Sequence, residues 1–153
     1  MTETEIAEIG EQSRIREKVQ NLMCKVNTRT LEEEFRKQEK RKAKGIDGVD
    51  KTAYGENLES NLNDLVNRMK KFQYRPLPVR RTYIPKANGK LRPLGIPAFE
   101  DRLVQGVMAE ELNAVYEERF LDCSYGFRPN RSCHDVVRYI NQTIMTKKVN
   151  YVL

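Results

Sequence analysis

At 153 residues with a net charge of +6, the chain fits one compact domain or a domain with an extension, and its charge suits an anionic partner. Charged residues make up 33% and hydrophobic ones 39%, with no Trp, so the core has to be modest and largely aliphatic. No apolar run approaches the roughly 20 residues that a bilayer-crossing helix needs, and the opening Met-Thr-Glu-Thr-Glu-Ile lacks the apolar stretch of a secretory leader; a cytoplasmic protein with no membrane partner is expected.

Residues 1–44 are polar, free of Pro and permissive of helix. Ile15, Val19, Leu22, Met23 and Val26 recur at helical spacing, as do Leu31 and Phe35. Asn27-Thr28-Arg29-Thr30 interrupts the pattern, and Thr30 with Glu33 three residues later predicts a capping box for a second helix. The basic run Lys37 to Lys44 is expected to finish it, with Gly45 just past its end. Gly45-Ile46-Asp47-Gly48-Val49-Asp50 reads as a loop whose glycines supply unusual backbone angles; on its own it is equally a plain connector. Leu58, Leu62, Leu65, Met69 and Phe72 then form one stripe of an amphipathic helix, ended by Tyr74-Arg75-Pro76-Leu77-Pro78.

Val79–Ile84 and Leu91–Ile96 read as two strands joined by a tight turn at Asn88-Gly89, two residues that tolerate positive φ. Prolines at 85, 93 and 97 cannot donate to a ladder, so they place this hairpin at an edge, free to project. From Arg68 to Arg92 there are nine Lys or Arg and no acid, whereas acids crowd Glu32 to Glu34 and Glu110 to Glu118. Such segregation predicts a binding face. A stiff basic hairpin suits a phosphate chain; it equally suits a solvated edge whose lysines discourage sheet pairing.

Glu100 and Asp101 open the next helix, where acids favour its dipole. Leu103, Val104, Val107, Met108, Leu112 and Val115 are predicted to line its core face. Ser124 to His134 is irregular, and a last helix carries Val136, Val137, Ile140 and Ile144 on one side. Asn150-Tyr151-Val152-Leu153 reads as the opening of a buried strand. Cys24, Cys123 and Cys133 form no CxxC pair, and Cys123, Cys133 and His134 match no common zinc spacing. They read as small buried or half-buried thiols of a reducing compartment, and no metal site is expected. The fold class is α+β.

Several segments together resemble group II intron reverse transcriptases (maturases). They are Tyr74 to Arg81, Ile84-Pro85-Lys86, Gly89 to Pro97, Asp101 to Gln105, Tyr116 to Phe120, and Ser124 to Ser132 with His134. Gly45-Ile46-Asp47-Gly48-Val49 resembles the N-terminal extension motif of the same family, so the resemblance covers residues 30–153 in order. It implies a mostly helical fingers subdomain of a right-hand polymerase with a projecting β-hairpin and a helical N-terminal extension. The implied division is an extension over 1–50 and fingers over 51–153, ending at the first palm strand.

The resemblance also implies roles. Arg80, Lys86 and Arg92 correspond to cations that hold the triphosphate of the incoming dNTP, where a guanidinium offers phosphate a planar fork. Lys86 and Arg92 lie across the turn from one another and are expected to converge on one anion. Arg80 and Arg81 alternate along the strand, so one of the pair is expected to serve. Ile96 and Pro97 correspond to residues that pack on the templating base. Gly45, Ile46, Asp47 and Gly48, with Arg128 and Arg131, correspond to contacts with the template backbone. For Arg128 a helix-capping or core-bridging role is an equal alternative. Tyr125 and Phe127 are expected to anchor the core, and His134 to be structural.

Polymerases of this kind use Mg2+ held by carboxylates. The family's catalytic aspartates lie beyond this chain, so no catalytic residue and no cofactor is expected here, and polymerisation by this fragment alone is not expected. The expected partners are intron and template RNA, the missing palm and thumb, and a homodimer through the exposed strand. The alternative is a stand-alone, non-catalytic RNA-binding or oligomerisation module derived from the fingers.

Overall fold

Glu3 and Glu5 put negative charge in the first turn of α1 (Glu3–Ile15) and Arg14 puts positive charge in its last, both favourable to the helix dipole. The computed structural model describes residues 2–15, 19 and 22–151. Leu22–Lys25 form a single 3-10 turn. The helical spacing predicted from Ile15 to Val26 is therefore not one helix among the described residues; Ile15 is 73% exposed and Met23 is exposed. The reason lies in which face packs: α1 buries Ile9 and Ser13, one turn apart, and Ile15 falls off that side.

Asn27 starts α2 (Thr28–Lys37). Its side chain accepts from the Thr30 N–H at 3.1 Å, and Thr30 Oγ1 accepts from the Asn27 N–H at 3.1 Å. The capping box is therefore Asn27–Thr30, three residues earlier than the predicted Thr30–Glu33. The helix stops at Lys37, well short of Gly45, because Lys51 Nζ arrives to take the carbonyls of Arg36 (3.0 Å) and Gln38 (2.5 Å). Asp50 caps the short α3 (Lys51–Gly55) by accepting from the Ala53 N–H at 2.9 Å. Then comes α4 (Leu58–Lys70). Its predicted stripe holds through Met69, but Phe72 lies beyond the helix, 85% exposed, with φ 58°.

Two antiparallel strands follow, β1 (Arg80–Pro85) and β2 (Leu91–Ile96), with Arg80 opposite Ile96 and Pro85 opposite Leu91. A two-residue turn would need positive φ at both Asn88 and Gly89. Only Gly89 has it, at 75°. Its N–H donates to Lys86 O (3.0 Å), and the Lys86 N–H donates to Lys90 O (2.7 Å). The turn is thus a three-residue loop ending on a left-handed glycine.

β2 runs through Pro97–Ala98 into α5 (Phe99–Glu117), the longest of the described helices and the spine of the molecule. Leu31 of α2, Leu65 of α4, and Phe99, Leu103 and Val107 of α5 are all under 2% exposed; each such burial contributes about 1.5–3 kcal/mol. Phe99 meets Phe35 edge-on at 5.9 Å and Tyr54 at 5.1 Å. A second cluster joins Ile9 to Ala114 and Val115, so α1 docks on the C-terminal half of α5. There Ser13 Oγ donates to Val115 O at 2.6 Å. Met108 and Leu112 are about two-fifths exposed, contrary to expectation, because the covered face runs through Val107, Glu111, Ala114 and Val115 instead.

Ser132 and Asp135 form a capping box that starts α6 (Cys133–Thr146), which buries none of its residues. Val137, Ile140 and Ile144 stand about half or more exposed. All three cysteines are exposed, and so is Phe127, neither of which the sequence suggested. Asn150 and Tyr151 are not in a strand; Val152 and Leu153, where the palm strand was expected, lie outside the described residues. The architecture is helical with one small antiparallel hairpin, consistent with α+β. Among the described residues no helix is long and apolar enough to cross a membrane.

Candidate nucleic-acid interface

Both roots of the hairpin are held by the first turn of α5. Asp101 is 3% exposed. Its carboxylate accepts from the Tyr74 hydroxyl and, at 3.0 Å, from the Leu77 N–H, so the entering strand is pinned where the leaving strand becomes helix. Burial and this carboxylate push the Tyr74 phenol up. Beside it, Arg68 bonds Glu100 and, at 2.7 Å, Asp64. Burial raises the Glu100 carboxyl despite that pairing. In the sequence Asp101 is a dipole partner and the first residue of the Asp101–Gln105 segment, and nothing in a local window points to its contacts with Tyr74 and Leu77.

Beyond these roots the hairpin is in water. From Arg80 to Gly95 only Thr82 is half-buried. Alternation along the register puts Arg80, Thr82, Ile84, Arg92, Leu94 and Ile96 on one side. The Lys86–Lys90 backbone bond extends the ladder, so Lys86 and Lys90 fall on that side too. Lys86 is diagonal to Arg92, about 7 Å away along the sheet and within reach for long side chains. Arg80 lies four residues from the Arg92–Ile84 pair, roughly 13 Å. The three predicted phosphate cations therefore share one side, with Lys86 and Arg92 close and Arg80 apart. Arg81 takes the opposite side.

The loop 45–48 meets the base of this side. A Cβ on Gly45 would lie 2.6 Å from Ala98 Cα and 2.7 Å from Pro97 O, so only glycine admits so close a backbone approach. Gly48 (φ 68°) completes the turn, with its N–H directed at Gly45 O (3.4 Å), and Asp47 Oδ1 accepts from the Val49 N–H (3.3 Å). Arg80 Nε donates to Lys44 O at 2.9 Å, tying the strand to the same loop. Gly45, Ile46, Asp47, Gly48, Arg80, Ile96 and Pro97, predicted from segments up to 52 residues apart, are brought together here. Ile46 is exposed, and Ile96 and Pro97 are half-buried.

Arg128 and Arg131 lie elsewhere. Arg128 forks onto Glu117 (2.9 and 3.1 Å), donates to the carbonyls of Leu121 (3.0 Å) and Ser124 (2.9 Å), and stacks 5.0 Å over Phe120. It is 9% exposed. Every nitrogen of its guanidinium is engaged, and the same contact holds the Glu117 carboxyl below its ordinary range. Arg131 donates to Asp122 O and stacks 5.3 Å over Tyr125, with part of its surface open. Both sit past the C-terminal end of α5, while the Gly45–Pro97 cluster sits at its N-terminal end, a separation of roughly 27 Å along the helix.

Among the described residues no group of three or more His, Cys, Asp or Glu is arranged to hold a metal ion. The residues present therefore do not fit the two-metal carboxylate site of a polymerase, and no metal-dependent step is assigned to them.

Over 96 residues the chain is 49% identical to Protein YkfC of Escherichia coli (strain K12), a match covering 63% of this chain and 25% of that protein. Over 100 residues it is 45% identical to Group II intron-encoded protein LtrA of Lactococcus lactis subsp. cremoris, covering 65% of this chain and 16% of that protein. A 44-residue stretch is 46% identical to Nuclear intron maturase 2, mitochondrial, of Arabidopsis thaliana, covering 29% of this chain and 6% of that protein. The chain thus spans a quarter or less of the length of these relatives. No family model matches it.

Proposed function

Because this chain belongs with the group II intron-encoded proteins and intron maturases, we propose that it supplies the N-terminal extension (1–50) and fingers (51–153) of an RNA-directed DNA polymerase and binds RNA through the hairpin and the loop at its base. Lys86 and Arg92 take nucleotide phosphates, with Arg80 holding the strand to the 45–48 loop and offering its remaining N–H groups. Ile46, Ile96 and Pro97 give an apolar surface for a base that does not discriminate among bases. Backbone groups of 45–48 and, at the other end of α5, Arg131 meet the template strand. Arg128 acts through its neighbours, fixing the turn that carries Arg131. Mg2+ chemistry belongs to the complete enzyme, and polymerisation is not assigned to these residues alone. Intron RNA is the proposed partner, with roles in splicing and mobility for the whole protein.

One observation carries this reading: Gly45 is pressed onto the Pro97–Ala98 backbone, joining two separately predicted template segments into one surface beside the basic side of the hairpin. The test is RNA binding by the chain at about 50 mM and about 200 mM salt, beside a Lys86→Ala/Arg92→Ala variant. Affinity that falls with salt and falls again in the variant is expected. Affinity indifferent to both sinks the reading. A second reading, a stand-alone binding or oligomerisation module, draws on the uncovered apolar side of α6; a concentration-dependent dimer in sedimentation, lost on Ile140→Asp, would favour it.

A further inference from the structure

The residue that closes α4 is aromatic where the backbone suits glycine. The Phe72 N–H donates to Met69 O at 3.0 Å and the Gln73 N–H reaches back to Arg68 O at 2.8 Å, the paired bonds of a helix ending whose left-handed residue is commonly Gly. At φ 58° a bulky side chain is strained. The strain brings no packing in return: Phe72 is 85% exposed. An apolar ring kept in water on a strained backbone has no role in the fold that its surroundings reveal.

The neighbours point to a ligand. Lys70, Lys71 and Arg75 are exposed around it. Arg75 donates to Phe72 O (3.1 Å) and Tyr74 O (3.0 Å), so its guanidinium is fixed beside the turn with further N–H groups unused. The sequence holds no acid from Arg68 to Arg92. Asp47, Glu100 and Asp101 line one cleft with Arg75; Glu100 is taken by Arg68, and Asp101 by the Tyr74 hydroxyl and the Leu77 N–H. A flat apolar ring beside exposed cations matches a chain of anions carrying flat π-faced groups, and matches an apolar protein pocket poorly.

We propose that Phe72 is a stacking platform for an unpaired base of single-stranded RNA, with Lys70, Lys71 and Arg75 taking the flanking phosphates. The left-handed backbone holds the ring outward before the base arrives, so little ordering is left to binding. Such a contact is tolerant of base identity, because every base has a π-face. The inference rests on the RNA-binding reading above but concerns a different surface, at the end of α4.

The test measures binding of the 153-residue chain to a short single-stranded RNA carrying one fluorescent adenine analogue, and to the same sequence as a duplex. Phe72→Gly removes the ring and relieves the strain, so it is expected to raise Tm by about 3 °C while weakening single-strand binding about tenfold. Phe72→Tyr should retain affinity, duplex binding should be unmoved by either change, and the analogue's emission should be quenched by the wild-type chain and not by Phe72→Gly. Unchanged single-strand affinity in Phe72→Gly, with the Lys86→Ala/Arg92→Ala variant still impaired, overturns this proposal and leaves the hairpin reading standing. Equal loss in Phe72→Tyr and Phe72→Gly also overturns it. No RNA binding by the wild-type chain overturns both.

Discussion

At Gly45 there is no room for a methyl group, and the atoms it would meet are backbone atoms of Pro97 and Ala98 that cannot swing aside. Gly45→Ala is expected to lose roughly 1–3 kcal/mol of stability in urea denaturation and to weaken RNA binding with it; an unchanged midpoint would mean the close approach is not needed. Glu111 is a different sort of residue-scale problem. It is 3% exposed, and its Oε1 has no hydrogen-bond partner. Burial pushes its carboxyl up to about 7; Lys25 draws it down in part and Glu110 adds to the rise. The folded chain then keeps a proton that the unfolded chain has already released. The stability this confers is fully present below the ordinary value of 4.5 and is lost as pH rises through about 7. Wild-type stability should therefore fall by roughly 1–3 kcal/mol between about pH 5 and about pH 8. Glu111→Gln, which cannot titrate, should fall less across that range. A wild-type denaturation midpoint that is flat over the same range would show that Glu111 titrates normally.

Among elements, the turn from α5 to α6 depends on one side chain. Arg128→Ala removes the fork onto Glu117, two carbonyl contacts and the stack on Phe120, and should lower the urea midpoint. Hydrogen exchange should rise first over residues 121–132, and Arg128→Lys should not rescue it, since an ammonium cannot form the fork. How far each element could be read from sequence follows from how local its causes are. The hairpin was legible because Pro85, Pro93 and Asn88-Gly89 act on their own backbone, although its loop proved one residue longer than the Asn-Gly pair implied. The limits of α2 were not: Asn27 and Thr30 are both good caps, and the end at Lys37 is decided by Lys51, fourteen residues away. The face of α5 was misplaced at Met108 and Leu112 because α1 packs on it from the far end of the sequence. The site was half legible for the same reason. Its residues were recognised as motifs, but the contact of Gly45 with Pro97 and the clamp of Asp101 on Leu77 are tertiary, and Phe72 passed as the last member of an apolar stripe.

For the molecule as a whole, α5 separates the basic side of the hairpin at one end from Arg131 at the other. A strand touching both has to run the length of that helix, so binding should involve many weak phosphate contacts. Removing Lys86 and Arg92 together should reduce the slope of log affinity against log salt by about 1.4 on single-stranded RNA. An unaltered slope, with lower affinity, would mean that those two side chains act on folding and not on phosphate. The uncovered state of α6 has a further consequence, for dissection of the chain. With no residue of α6 buried and both core clusters complete by Val115, the helix is a detachable part. A protease cutting once in the exposed stretch Leu121–Cys123 should release it and leave a folded remainder, visible by mass spectrometry as one resistant product. The core would survive the cut, and Arg131 would leave with the smaller piece.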